Sequence, residues 1–310
     1  MAFSIILADC FEWLKECPAN AFHAVITDPP FGIREFTRRE LDKMKAGRGG
    51  VWRIPPSIGG SQRAPLPRFT GLTPADIDNM RSFFYDWSKL TLPVLVPGGH
   101  IFIAATPLWS HVVFDALTEA GFEKRGEIVR LVRTLRGGDR PKGAETEFPD
   151  VSAMPRSCWE PWGLFRRPFN GTLAENLRRW STGGLRRLPD GNPFPDVIES
   201  IRTPRCEREI APHPSLKPQQ FMRQLVWASL PLGQGKILDP FAGAGSTLAA
   251  AEALGYDSVG IEINEEYVQI ARRAVLELAK LVVNNNQTEQ TKIDEPKSQL
   301  SLPLFENLNH

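Results

Sequence analysis

Two short phrases constrain this chain most: Asp28-Pro29-Pro30-Phe31 and Asp239-Pro240-Phe241-Ala242-Gly243-Ala244-Gly245-Ser246. Each follows a brief apolar run, Ala24-Val25-Ile26-Thr27 before the first and Lys236-Ile237-Leu238 before the second. Apolar runs of that length bounded by turn residues read as buried strands. Both phrases therefore fall at strand-to-loop exits on the rim of an α/β sheet, where open sheets bind ligands.

The pattern around them supports that class. Phe3–Ala8 reads as a first strand, because it is apolar, lacks a basic leader and meets Asp9 at once; it does not read as a signal peptide. Cys10–Lys15 is a short helix. Thr73-Pro74-Ala75-Asp76 opens a longer one with a cap residue and proline in the first turn. Its stripe of Ile77, Met80, Phe84, Trp87 and Leu90 faces a core. Pro97-Gly98-Gly99 reads as a turn, His100–Ala104 as a strand, Trp109–Ala120 as a helix closed by Gly121, and Glu127–Val132 as a strand. After an irregular region rich in Arg, Pro, Gly and Trp (Arg133–Glu209), regular patterning returns. It gives helix Gln219–Leu230, strand Lys236–Leu238, helix Thr247–Leu254 closed by Gly255, strand Ser258–Ile263 and helix Glu265–Val282. No apolar run approaches membrane-spanning length. The four cysteines are scattered without a Cys-x-x-Cys pair, so neither a zinc site nor a disulfide framework is expected, and a reducing cytoplasm fits.

Charge is informative only in its distribution. The whole chain carries a formal charge of +1. Yet Gly32–Gly71 holds nine basic residues against three acidic, and Lys124–Leu188 holds fourteen against seven. Arginine concentrated in irregular segments is suited to tracking phosphates, although a solvated charged surface is the plainer explanation. Trp159, Trp162 and Trp180 read as packing residues.

The two phrases, in this order, resemble the β-class DNA amino-methyltransferases, the N6-adenine and N4-cytosine DNA methylases. Ile6-Leu7-Ala8-Asp9-Cys10-Phe11, Trp159–Arg166 and His213–Val275 add to the likeness, while Gly32–Gly71 and most of Asn170–Arg208 depart from it. The resemblance implies a Rossmann-like S-adenosylmethionine-dependent methyltransferase sheet with a circularly permuted motif order and an irregular inserted target-recognition region. The expected organisation is a catalytic half (1–31 and 72–132), a basic excursion (32–71), a target-recognition region with part of the catalytic core (133–209), a cofactor-binding half (210–283) and a disordered tail (284–310).

It also implies roles. An exocyclic base amine is a poor nucleophile because its lone pair is delocalised into the ring. Asp28 and the main-chain carbonyl of Pro29 would accept its two hydrogens, Pro30 would stiffen the loop, and Phe31 would stack on a base extruded from the duplex. For S-adenosyl-L-methionine the expected contacts are Asp239, Phe241, Gly243, Gly245 and Ser246 in the glycine loop and Glu262 on the ribose hydroxyls. Lys217 is expected on the methionine carboxylate and Asp9 on the adenine amino group. A tight βα turn competes for the loop and a plain helix N-cap for Asp9. No metal is needed. The implied partner is double-stranded DNA, and the favoured base is adenine because Asp leads the motif. Cytosine N4, an RNA or protein methyltransferase, and a catalytically silent DNA-binding regulator are the alternatives. Finally, Gln299–Phe305 resembles the peptide that docks on bacterial replication sliding clamps.

Overall fold

Eight strands align in one sheet, six of them at the expected segments, in a computed structural model that describes residues 3–30, 57–58, 61–62, 73–132, 141, 143–153 and 155–283. Phe31, most of the basic excursion and the clamp-like Gln299–Phe305 lie outside the described residues. In chain order the strands are β1 (Phe3–Leu7), β2 (Phe22–Thr27), a two-residue ribbon β3/β4 (Ser57–Ile58 and Ser61–Gln62), β5 (Leu95–Ala104), β6 (Glu123–Leu131), β7 (Trp159–Arg166), β8 (Val197–Glu199), β9 (Lys236–Asp239) and β10 (Asp257–Glu262). The helices are α1 (Cys10–Glu16), α2 (Pro74–Val94), α3 (Ser110–Glu119), α4 (Leu173–Trp180), α5 (Arg205–Ile210), α6 (Gln219–Ser229), α7 (Ser246–Leu254) and α8 (Glu265–Lys280). The sheet order is β1-β10-β9-β2-β5-β7-β6-β8. Only β7 runs against its neighbours.

Helices cover both faces, as a largely parallel sheet requires. Val25, Ile101 and Ile103 point to the face packed by Trp87 and Phe84 of α2 and Val113 and Leu117 of α3. Ala24, Ile26, Phe102 and Trp162 point to the other, under Phe221 and Leu225 of α6 and Ala250 of α7. α8 lays Val268, Ala271, Ala274, Val275 and Leu278 against Ile5 and the α7 residues Leu248 and Ala249. The expected start of α2 is present in full. Thr73 accepts from the Asp76 amide at 3.3 Å and Asp76 accepts from the Thr73 amide at 2.8 Å. Gly121 (φ 112°) and Gly255 (φ 76°) end their helices in the left-handed region.

Two expectations need correction. Pro97-Gly98-Gly99 is not a free turn. It is an irregular stretch within β5, where the register jumps from Phe22↔Leu95 to Ala24↔His100. Gly98 takes φ 80°, and the Gly98 amide and Gly99 carbonyl still pair with Arg167, at 3.0 and 2.9 Å. Second, the region 133–209 is not uniformly irregular. β7 lies between β5 and β6, in the interior of the sheet. Pro161 and Gly163 weaken its strand signal, but burial decides: Trp162 and Phe165 are fully enclosed, as expected for Trp162.

Gly163 is required by packing. A Cβ there would lie 2.6 Å from Phe114 Cε1 and 2.7 Å from Phe165 Cε2, two rings that themselves pack edge to face at 5.7 Å. Gly163→Ala should therefore destabilise the fold by about 1–3 kcal/mol through overpacking. An unfolding midpoint in urea equal to wild type would contradict this packing.

Candidate active site

β9 and β2 are adjacent and parallel, but the chain leaves them in opposite directions, β9 towards β10 and β2 towards β5. That divergence opens a crevice at their C-terminal ends. The two strands are tied at its floor. Thr27 Oγ1 donates to Asp239 Oδ1 at 2.7 Å, and Thr247 Oγ1 donates to the Ile26 carbonyl at 3.2 Å. Asp239 also accepts from the Phe241 amide at 3.2 Å. Burial is the main influence on its carboxyl, pushing it up to about 6, and nearby Asp28 adds to the rise.

The structure brings Asp28, Lys217, Asp239, Phe241, Gly243 and Ser246 to the wall of one pocket, although Asp28 and Lys217 are 189 positions apart. Gly243 (φ 51°) and Gly245 (φ 87°) shape the loop. Gly245 is not on the pocket wall; it lies where a Cβ would fall 2.6 Å from Val275 Cγ2, so it lets the loop close onto α8. Phe241 turns partly inward, against Phe83 and Trp87 of α2 at 6.1 and 6.0 Å. Ser246 Oγ accepts from the Lys217 amide at 3.2 Å. Glu262 accepts from the Gly243 amide and the Asn264 amide, both at 2.8 Å, which anchors the loop to the end of β10. Asp9 caps α1, with Oδ1 accepting from the amides of Phe11 and Glu12 at 2.8 and 3.3 Å. Pro29 is buried and Pro30 exposed.

The largest departure from expectation concerns Lys217. Its ammonium does not face the pocket alone; it sits between two carboxylates, 2.5 Å from Asp28 Oδ2 and 3.3 Å from Glu160 Oε1. Glu160 is held in turn by Arg130 at 3.0 Å and by Trp162 Nε1 at 3.1 Å. Arg130 donates further to Ser200 Oγ and the Ile201 carbonyl and lies over the Phe221 ring. The result is a nearly enclosed row of alternating charge: Asp28, Lys217, Glu160, Arg130. Burial raises the Asp28 carboxyl, Lys217 pulls it back and Glu160 adds to the rise; the net direction is up. Glu160 is also pushed up by burial, but Lys217 and Arg130 outweigh this and hold it below its ordinary range. Burial draws Lys217 down, and Asp28 and Glu160 reverse that, leaving it raised.

Sequence reasoning missed Glu160, Arg130 and His213 as site residues. A glutamate inside an otherwise apolar strand, beside Trp162, was the available signal. His213 packs edge to face on Tyr267 at 4.4 Å and lies under Gly243. Its Nδ1 accepts from the Ser215 amide. Burial, helped by Lys217, lowers its pKa to about 4, so the ring is neutral.

The arginines also sort differently from the charge tally. Arg130 is structural. Arg166 binds Glu123 and the Gly183 carbonyl, Arg167 binds Asn20 and the carbonyls of Pro93 and Leu95, and Arg186 reaches Tyr256 and stacks on Trp227 at 3.6 Å. α4, with Arg178 and Arg179, is fastened to the start of β5 through Asn176 and the Pro97 carbonyl. Arg166, Arg167, Arg178, Arg179 and Arg186 thus gather at the rim opposite Asp28. By contrast, β6 ends and β7 begins on Asp28's side. Among the described residues no metal-binding cluster occurs and no helix is long and apolar enough to cross a membrane.

Known proteins are similar to this chain in sequence and in fold. A sequence profile for DNA methylases of the N6/N4 type matches residues 162–273. Type II methyltransferase M.HpaI of Haemophilus parainfluenzae is 34% identical over 271 residues, covering 86% of this chain and 72% of that protein. In fold, the chain is similar to a Thermus thermophilus protein assigned as a DNA modification methylase and crystallised with S-adenosyl-L-methionine. That match has a TM-score of 0.56 and 19% identity, and covers 90% of this chain and 95% of that one. The cytosine-N4-specific PvuII DNA methyltransferase matches with a TM-score of 0.56 and 13% identity over 93% and 89% of the two chains.

Asp239 gives a pH test. Its folded pKa lies above that of the unfolded chain, so the native state binds the proton more tightly and stability falls as pH rises from about 4 to about 6. Relative to Asp239→Asn, wild type should lose on the order of 3 kcal/mol across that window. Denaturant titrations of both proteins at pH 4 and pH 7 check this, and a difference independent of pH would contradict it.

Proposed function

The chain belongs to the DNA amino-methyltransferase family that comprises N6-adenine and N4-cytosine enzymes, and on that footing we propose that it methylates adenine N6 of a base flipped out of double-stranded DNA, with S-adenosyl-L-methionine as methyl donor. The observation that carries the reading is the shared pocket of Asp28 and the glycine loop at the crevice between β2 and β9.

The residues fit the cofactor. The loop offers bare backbone where a Cβ at Gly243 would come within 3.1 Å of the His213 ring, and Glu262 stands at the end of the next strand with an acceptor for ribose hydroxyls. Phe241, Ser246 and Asp239 complete that side, and Asp9 is the further candidate for the adenine amino group; Lys217, expected on the methionine carboxylate, is engaged by Asp28 and Glu160. When bound, the cofactor would supply a sulfonium methyl to the amine lone pair, with the C–S electron pair leaving on the sulfur of S-adenosylhomocysteine and the surplus amine proton passing to solvent.

The protein's share is positioning and electrostatics. Asp28 accepts one amine hydrogen and the Pro29 carbonyl the other, drawing the nitrogen towards tetrahedral geometry and steadying its positive charge. Phe31 stacks on the extruded base. Target reading falls to the region that follows β6, a strand that ends on Asp28's rim. The Type II designation of M.HpaI supports a place in restriction-modification. An aspartate at the head of the motif favours adenine, while the likeness to a cytosine-N4 enzyme keeps that base as the second reading.

Tritium from labelled S-adenosyl-L-methionine should pass to duplex DNA with wild type and at least about 100-fold more slowly with Asp28→Ala. Digestion to nucleosides should yield N6-methyladenine; N4-methylcytosine would select the second reading, and no labelled nucleoside would refute the proposal. Arg178→Ala/Arg179→Ala, on the far rim, should leave the KM for DNA within about twofold of wild type, because sequence-independent affinity comes from the cations that meet phosphates. A large rise in KM would place DNA on the wrong side of the sheet.

A further inference from the structure

We infer that Lys217 is a positioning residue for the methyl transfer: clamped between Asp28 and Glu160, it fixes the rotamer and charge of the catalytic carboxylate, and Glu160, braced by Arg130 and Trp162, fixes Lys217. This deepens the functional reading above and rests on it.

The geometry carries the argument. Lys217 Nζ engages Asp28 Oδ2 at 2.5 Å. That contact restrains the side chain and leaves Oδ1 as the oxygen for an incoming amine. The ammonium is in turn prevented from swinging away by Glu160 Oε1 at 3.3 Å. The Lys217 backbone is pinned as well, through its amide on Ser246 Oγ at 3.2 Å. Glu160 has little freedom of its own. One oxygen accepts from Trp162 Nε1, the other from Arg130, and Arg130 is tied to Ser200 and Ile201. Side-chain exposure along the row is 18% for Asp28, 13% for Lys217, 22% for Glu160 and 6% for Arg130, so water screens these charges poorly. Breaking one member of such a row leaves its neighbour uncompensated.

The row also sets opposite electrostatic pushes on Asp28. Lys217 and Arg130 favour the ionised carboxylate and Glu160 opposes it. Further out, Asp239 faces Asp28, His213 faces Lys217 as a neutral ring, and Glu207 faces Arg130. Protonation of Asp28 on Oδ1 would turn that oxygen from acceptor to donor, so the acid limb of kcat should follow it. Removing Lys217 must move that limb up in pH. Removing the Glu160 charge must move it down. A purely structural role for these residues moves neither limb in a charge-dependent direction.

The experiment compares wild type, Lys217→Met, Lys217→Arg and Glu160→Gln in steady-state tritium transfer to duplex DNA from pH 5 to 9, with cofactor affinity measured by calorimetry. Lys217→Met should lower kcat at pH 7.5 by about 10- to 100-fold, shift the acid limb up by about one unit or more, and change cofactor Kd less than about threefold. Lys217→Arg should restore part of kcat. Glu160→Gln, nearly isosteric, should shift the limb down, and it tests the inference even where Lys217→Met fails to fold. Limbs that stay put, or limbs that move the same way in Lys217→Met and Glu160→Gln, overturn the inference while wild-type transfer leaves the functional reading intact. A tenfold or greater loss of cofactor affinity with an unmoved limb assigns Lys217 to the methionine carboxylate instead. Absence of transfer by wild type overturns the functional reading itself.

Discussion

A single, nearly enclosed ammonium between two carboxylates organises the heart of this molecule. Lys217 comes from the segment before α6, Asp28 from the end of β2 and Glu160 from β7, with Arg130 of β6 behind it. Four separate pieces of chain must therefore be in register before any of these charges is compensated. Charges this far from water are tolerated only in pairs with their hydrogen bonds satisfied. The cost of misplacing one ties the end of β2 to the segment before α6.

The architecture explains why the row lies where it does. Divergence of the chain at β9 and β2 opens the crevice, and the Thr27–Asp239 hydrogen bond closes its floor. β7, inserted antiparallel beside β5, begins on the same rim and delivers Glu160 to within reach of Lys217. The glycine loop then needs only to keep its backbone bare. Gly243 does this against His213, while Gly245 lets the loop close onto Val275. The carboxyls of Asp28 and Asp239 are both held above their usual range, chiefly by burial.

Much of this was legible in the sequence where the signal was local. The Thr73-Pro74 cap, the closing glycines 121 and 255 and the apolar stripe of α2 depend on neighbours three or four residues apart. Both strand exits were legible for the same reason. β7 was obscured because Pro161 and Gly163 are poor strand residues and only burial among Phe114, Phe165 and Phe221 justifies them. The turn reading of Pro97-Gly98-Gly99 was correct for the backbone angle at Gly98 but not for the pairing that carries β5 through it. Arginine placement could not be read at all. Which rim Arg166 or Arg179 occupies depends on strand direction and sheet order, and those are properties of the assembled sheet. The Lys217–Asp28 pair joins positions too distant in sequence for spacing to reveal.

The most direct test is a carboxyl-carbon NMR titration of 13C-aspartate-labelled protein, with the Asp28 resonance identified by its loss in Asp28→Asn. The account predicts a midpoint above that of free aspartate in wild type, displaced further up in Lys217→Met and down in Glu160→Gln. A midpoint at the ordinary aspartate value that neither substitution moves would mean that Asp28 is not held by this row of charges.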